Sequence, residues 1–338
     1  MVVTYDLVLS TPHPNYDFFA HKMRELCGQL GLSFFMAEPV WVKEFLQKLL
    51  LREIKVQVLL DLGADQSISE DPYLLLAQEV KRQGCYVIDD PDNVAIMAHK
   101  GRFHQILLDN RILVPETVIV NRGDLDSFKI TDEIKAQVGV PFVVKPAWGD
   151  SGVGVIVNGY SEDDLRKSAE QAPNSDSFLI QRRLQPKRLM EGRSGWFRIF
   201  HICGEIIPCW WNPINHEYHL VTPAQQGLYK LAPLTRIMRG IARVSKMKKF
   251  TSEICLDEDG KFYAVDYINA DPDMNPRSFY SNGVPDEVVR RIVWLLVNEG
   301  MHIVKRGQGF FDENLDESNG DWLERRRLEQ HKPSLWAG

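Results

Sequence analysis

The sequence predicts a mixed α/β (α+β) fold that opens on a parallel sheet and continues into antiparallel hairpins. Three stretches predict it. Residues 1–95 alternate strand-length apolar runs with amphipathic helical ones, the pattern of a parallel sheet with covered faces. Residues 141–157, PFVVKPAWGDSGVGVIV, read as strand, glycine-rich turn, strand. Residues 250–276, FTSEICLDEDGKFYAVDYINADPDMNP, read as two strands joined by a tight turn at Asp259-Gly260.

In chain order, strands are expected at 5–10, 32–36, 56–62 and 85–88, with helices at 16–30, 40–52 and 71–83 between them. Ligands gather beyond the carboxyl ends of such strands. The loop Ser10-Thr11-Pro12-His13-Pro14 lies at such an end, which marks His13 as a candidate for touching a substrate. A single helix is expected over 91–110, capped by Asp92 or Asn93, and a short one over 163–171 before a strand at 178–181. Strands 196–203 and 205–211 form a hairpin about Gly204, and apolar spacing predicts a helix over 234–250. A closing helix is expected at 285–298, and the polar, charged 311–338 reads as a tail.

With 338 residues the chain has length for two or three domains and a sizeable core. A formal charge of −6 argues against nonspecific binding along nucleic acid. Five cysteines stand without CxxC or His-rich spacing; Cys203 and Cys255 fall in predicted strands and are expected to be small buried thiols. The opening MVVTYDLVLSTPHP has no basic start or long apolar region, and no apolar run reaches membrane-spanning length. A cytoplasmic protein that uses neither membrane nor nucleic acid is expected.

The candidate chemistry sits on the two hairpins. Gly149, Asp150, Ser151, Gly152 and Gly154 form a loop whose backbone can approach a ligand closely and turn N–H groups toward an anion. Lys145 ends the strand before it and supplies a point charge suited to phosphate. A Walker-type loop needs Lys-Ser or Lys-Thr after its last glycine, and Val155-Ile156 stands there instead; a dinucleotide fingerprint would open a helix. Alternation places Trp196, Arg198, Phe200 and Ile202 on one face, and an arginine among large apolar neighbours wants an anion. Trp210, Trp211, Tyr218 and His219 offer an aromatic substrate wall. Glu253 and Asp266 lie across the second hairpin from each other, an oxygen pair suited to Mg²⁺, with Mn²⁺ as the alternative ion. Asn269 would complete the set. Its spacing puts it on the opposite face from Asp266, so a bulge near Ile268 must re-aim it, or Asp271 or Asp273 must replace it.

In this order the motifs resemble the ATP-grasp superfamily, over roughly residues 90–300 and more loosely the N-terminal region. The likeness is to carboxylate–amine ligases of the ribosomal-protein glutamate ligase and D-alanine–D-alanine ligase type. It implies an ATP-grasp fold with a Rossmann-like N-terminal domain (1–95), a central lobe (96–181), a C-terminal lobe (182–310) and a tail (311–338), the two lobes sandwiching the nucleotide. It also implies that Lys100 reaches the phosphates and that Gln181, Arg182, Arg183 and Leu184 form the hinge that reads adenine. Leu184 would pack on the base, and Glu191 would hold the ribose. Many relatives carry Glu where Gln181 stands, and the Asp266–Asn269 spacing is one residue longer than usual. By the same resemblance Arg198 and Lys145 are catalytic, Arg198 and Asp271 face the substrate beside the His13 loop, and the metal lies on Glu253, Asp266 and Asn269. The implied reaction joins a small-molecule or peptide carboxylate to an amine through an acyl phosphate, at the expense of ATP and with Mg²⁺. An ATP-grasp kinase of an anionic hydroxyl substrate and a nucleotide-binding regulator are the alternatives. The sequence leaves the oligomeric state open, a homo-oligomer included.

Overall fold

A computed structural model describes residues 2–12, 17–149 and 152–307. Strands β1 (Val3–Ser10), β2 (Phe34–Ala37), β3 (Ile54–Asp61) and β4 (Tyr86–Ile88) form a parallel sheet ordered β2-β1-β3-β4. Alternation sends Leu7 and Leu9 to one face and Val8 to the other. Helix α1 (Asp17–Gln29) covers the first face through Phe19 and Met23. Helices α2 (Val42–Leu50) and α3 (Pro72–Arg82) cover the second through Phe45, Leu49, Leu76 and Val80. The start of α3 follows from its sequence: Asp71 caps the Tyr73 and Leu74 N–H groups at 3.0 and 2.8 Å, and Pro72 takes the first helical position.

The expected helix over 91–110 is two helices, α4 (Pro91–Ala98) and α5 (Lys100–Asp109). His99 breaks them in extended backbone, and its Nδ1 accepts the Arg102 N–H at 3.1 Å. An imidazole is an uncommon cap, so the apolar pattern gave no stop signal there. The break sets Lys100 in the first turn of α5.

The middle of the chain forms an antiparallel sheet of β5 (Thr117–Asn121), β6 (Phe142–Pro146), β7 (Ile156–Gly159) and β8 (Ser177–Arg182), ordered β5-β8-β6-β7. Phe142, Val144, Phe178 and Ile180 pack with Leu165 of α7 (Glu162–Gln171) and Val138 of α6 (Asp132–Val138), a helix the sequence reading missed. β7 starts only at Ile156, because Gly154 has φ +73° and keeps the chain in the turn.

A second antiparallel sheet follows, ordered β11-β10-β9-β12-β13: β9 (Trp196–Ile202), β10 (Glu205–Asn212), β11 (Glu217–Leu220), β12 (Lys249–Leu256) and β13 (Phe262–Asn269). β11 and α8 (Pro223–Leu228) were not expected. Helix α9 (Ala232–Ser245) stops well before residue 250, because Lys246 takes a left-handed φ of 57°. Lys249 and Phe250 therefore begin β12. Cys203 sits in the β9–β10 turn at φ 48°, not in the strand, while Cys255 is buried in β12 as expected. The back of this sheet buries Phe197, Ile199, Phe250 and Ile254 against Leu234, Met238 and Ile241 of α9 and Phe103 of α5. At one end its front packs Phe200 and Ile202 against α10 (Asp286–Gly307). That helix runs past the expected residue 298 and lays Val289, Ile292, Val293 and Leu296 on the same core as Leu7 and Leu9 of β1. The first sheet and the last thus share one helix.

Candidate active site

Register assembles the centre of the site. Arg198 of β9 pairs with Glu253 of β12, and Glu253 pairs with Asp266 of β13, so three charged residues form one row across adjacent strands. One row on, Thr251 pairs with Asn269. Two residues of β12 span three of β13 between those pairs, so a bulge at Tyr267–Ile268 returns Asn269 to the face of Asp266. This is the re-aiming that the spacing demanded. The Asn269 Oδ1 also accepts the Asp271 N–H at 3.0 Å, which fixes the chain as it leaves the strand.

Each oxygen of Glu253 has a partner: Trp196 Nε1 donates at 2.9 Å and Arg198 stands at 3.4 Å. Burial raises the Glu253 carboxyl above its ordinary value and Asp266 adds to this, while Arg198, the Trp196 N–H and Lys145 oppose it. Arg198 also lies over the Trp211 ring, 5.1 Å from its centre. Asp273 faces Arg198 as well; burial lifts its carboxyl, and the Asn275 N–H at 3.0 Å and Arg198 hold it back.

Lys145 of β6 belongs to the other lobe, yet its Nζ donates to the Val265 carbonyl, one residue before Asp266, at 3.1 Å. Burial pushes its ammonium down, and Asp266 and Glu253 pull it back up. Lys145 therefore lies within electrostatic reach of the acid row. Lys100 comes from a third direction: its N–H bonds the Ala147 carbonyl at 2.9 Å and its Nζ bonds the Gly149 carbonyl. Gly149 and Gly152 have φ +122° and +74° with open space where a Cβ would stand. Gly154 differs. A Cβ there would meet Pro146 at 2.8 Å and α7 at 3.2 Å, and its carbonyl accepts the Ser168 hydroxyl at 2.6 Å, so it anchors the base of the loop. His13, Asp150, Ser151 and the tail 311–338 lie outside the described residues, as does the side chain of Glu191.

The hinge is more structural than expected. The Gln181 amide donates to Thr117 Oγ1 at 3.0 Å and to the Tyr267 hydroxyl at 2.9 Å, and that hydroxyl meets His104 Nδ1 at 2.6 Å. Gln181 thus ties β5 and β8 to the bulge of β13. Arg182 spends its N–H on the Glu116 carbonyl at 2.8 Å and its guanidinium on Glu116 and, at 3.0 Å, Asp257. Its N–H is therefore not available to a ligand. Leu184 is buried beside Tyr263 and Cys255. The aromatic wall divides: Trp211 pairs with Tyr218 on the front of the sheet, and Trp210 with His219 on the back. Neighbouring residues of a strand face opposite ways, so the four form no single surface.

Sequence reading missed Trp196 as the partner of Glu253. It also missed Lys249, which is buried and donates to the Ala270 carbonyl beyond the bulge. Alternation of Lys249, Thr251 and Glu253 in KFTSEICL carries that signal once the helix before it ends at Ser245. Among the described residues no group of three or more His, Cys, Asp or Glu is gathered to hold a metal. Two carboxylates and an amide on one face suit Mg²⁺, which takes its remaining oxygens from phosphates and water.

Solved structures match nearly the whole architecture. The D-alanine–D-alanine ligase of Bacillus anthracis, complexed with ATP, superposes with a TM-score of 0.59 at 13% identity, over 91% of this chain and 99% of that one. The fold is the ATP-grasp fold. A RimK domain ATP-grasp protein of Sphaerobacter thermophilus gives 0.57 at 17% identity over 86% and 98%. The ATP-grasp ligase PsnB, complexed with its precursor peptide PsnA2 and AMPPNP, gives 0.58 at 13% over 90% and 99%. No protein-family profile and no curated protein matches the sequence. Within the ATP-grasp fold, the glycine hairpin and the acid row stand on the two antiparallel sheets and meet at Lys145.

Proposed function

We propose that the protein is an ATP-dependent carboxylate–amine ligase that forms an amide or peptide-like bond through an acyl phosphate, releasing ADP and phosphate. The observation that carries this is Lys145 reaching from the glycine-loop sheet to the Val265 carbonyl beside Asp266. A phosphate chain between the lobes would meet Lys145, Lys100 and the loop amides on one side and the acid row on the other. Glu253, Asp266 and Asn269 would hold Mg²⁺, or Mn²⁺ in its place, which spreads the charge of the β- and γ-phosphates. Arg198, cationic and half enclosed by Trp211 and Glu253, would face the oxygen that accepts the phosphoryl group. Arg183 and Leu184 would meet adenine. The residues 1–95, 96–181 and 182–310 serve as working units, α10 closing the last back onto the first.

The neighbours support the class of reaction: D-alanine–D-alanine ligase and the ATP-grasp ligase PsnB share the fold. Among the described residues no helix is long and apolar enough to cross a membrane, and the five cysteines are free thiols, which fits a reducing, cytoplasmic setting. The test is ADP release from purified protein with Mg²⁺-ATP and panels of acids and amines. A ligase releases ADP only with both substrates, and hydroxylamine traps its acid as a hydroxamate. A stable phosphorylated product without an amine would identify a kinase instead, and binding without ADP a regulator.

A further inference from the structure

His99 stands between the two helices that bring Lys100 to the glycine loop, and it is only 4% exposed. Its Nδ1 accepts the Arg102 N–H at 3.1 Å and so carries no proton, which leaves the proton of the neutral ring on Nε2. That nitrogen faces both oxygens of Asp176, at 3.0 and 3.3 Å. Asp176 immediately precedes β8. Both ring nitrogens are therefore spent, one on the start of α5 and the other on the start of β8. Gly101 leaves room for this, since a Cβ there would stand 3.2 Å from the His99 ring.

The same cluster holds the exit of β6. Ala147 donates its N–H to the Ser177 carbonyl at 2.9 Å and accepts the Lys100 N–H at 2.9 Å. The Trp148 N–H donates to Ser175 Oγ at 3.1 Å, and that hydroxyl donates to the Ser177 carbonyl at 2.8 Å. The Ser177 hydroxyl in turn donates to Asp176 at 2.7 Å. The His99 and Trp148 rings meet edge to face, 5.2 Å between centres. The contacts close a circuit from Lys100 through Ala147, Ser177, Asp176 and His99 back to Lys100. Gly149 follows directly, and the Lys100 Nζ bonds its carbonyl. A lysine ammonium sits on a long, rotatable stem, so it is placed only as well as its backbone is. We propose that His99 and Asp176 are positioning residues that lock Lys100 onto the mouth of the glycine loop as one preset cradle for an anion. Such a cradle binds more tightly because its ordering precedes the ligand. That the anion is the phosphate chain of ATP rests on the ligase reading; the lock itself does not.

The lock is tested first without nucleotide, by amide hydrogen exchange in the full chain. In Asp176→Ala the Lys100 and Trp148 N–H groups should exchange roughly tenfold faster than in wild type, with the paired amides inside β6 and β8 unchanged. Asp176→Asn keeps an oxygen that accepts from Nε2 and should restore most of the protection. Unchanged exchange at Lys100 and Trp148 in Asp176→Ala, or acceleration spread equally through β6 and β8, overturns the lock. Calorimetry then reads its use. Asp176→Ala should weaken Mg²⁺-AMPPNP roughly threefold to tenfold, the loss of one charge-assisted contact that acts through Lys100. In a Lys100→Met background the same substitution should weaken binding by less than about twofold. The full loss persisting in Lys100→Met, or no loss in wild type, overturns the positioning role. A wild-type protein that binds no AMPPNP would overturn the nucleotide reading, and the exchange result would still decide the lock.

Discussion

His104 and His201 carry a testable consequence of burial. Both imidazoles are buried, and desolvation, with Lys145 beside one and Lys248 beside the other, lowers each to about 4. An unfolded histidine takes its proton near pH 6.5. Between pH 6.5 and 4 the unfolded chain therefore binds more protons than the folded one, so stability rises with pH across that window and is lost as pH falls through it. Each histidine accounts for about 2–3 kcal/mol at the acid end. Urea unfolding of His201→Asn should show a shallower loss between pH 6.5 and 4 than wild type; an unchanged slope would contradict the burial account. Gly154 makes a second residue-scale prediction. Alanine there meets Pro146 and α7 at a φ of +73°, so Gly154→Ala should cost about 1–3 kcal/mol. Gly152→Ala, with open space around it, should cost about 1 kcal/mol. Equal losses at the two sites would show that strain alone, and not packing on α7, governs Gly154.

At the scale of elements, the β13 bulge is the device that sets Asn269 beside the acid row. Its side chain Tyr267 is fixed by Gln181 of β8 and His104 of α5. Tyr267→Phe takes the partner of His104 Nδ1 and one of the two bonds of the Gln181 amide, and should destabilise by about 1–3 kcal/mol. If the bulge also aims Asn269, Mg²⁺ should support AMPPNP binding less well in this variant, with metal-free binding unchanged. A loss of stability with no change in metal dependence would make the network purely structural. The bulge was legible in the sequence because a spacing of three conflicts with strand alternation. Gln181 was not: a polar side chain near a hinge looks the same whether it meets a ligand or the next lobe. The His99 break and the end of α9 at Lys246 were hidden because neither residue is a usual terminator, and that hid Lys249 from the site. Pairing across strands, which sets Arg198, Glu253 and Asp266 in one row, needs a register that no single strand encodes.

Over the whole molecule, α10 joins the first sheet to the last and Lys145 joins the two antiparallel sheets, so a nucleotide between the lobes would be gripped by parts far apart in sequence. The parallel sheet, the glycine hairpin and the acidic hairpin were legible because each is a local pattern. That the two hairpins meet at Lys145 is encoded in neither of them alone. The direct test is a double-mutant cycle on Mg²⁺-AMPPNP affinity with Lys145→Met, Asp266→Asn and the pair, measured by calorimetry. Each single variant should weaken binding tenfold or more, with the pair falling short of the product because both act on one phosphate chain. Lys145→Met binding as wild type does, or losses that simply multiply, would mean that the lysine and the acid row do not hold the same nucleotide.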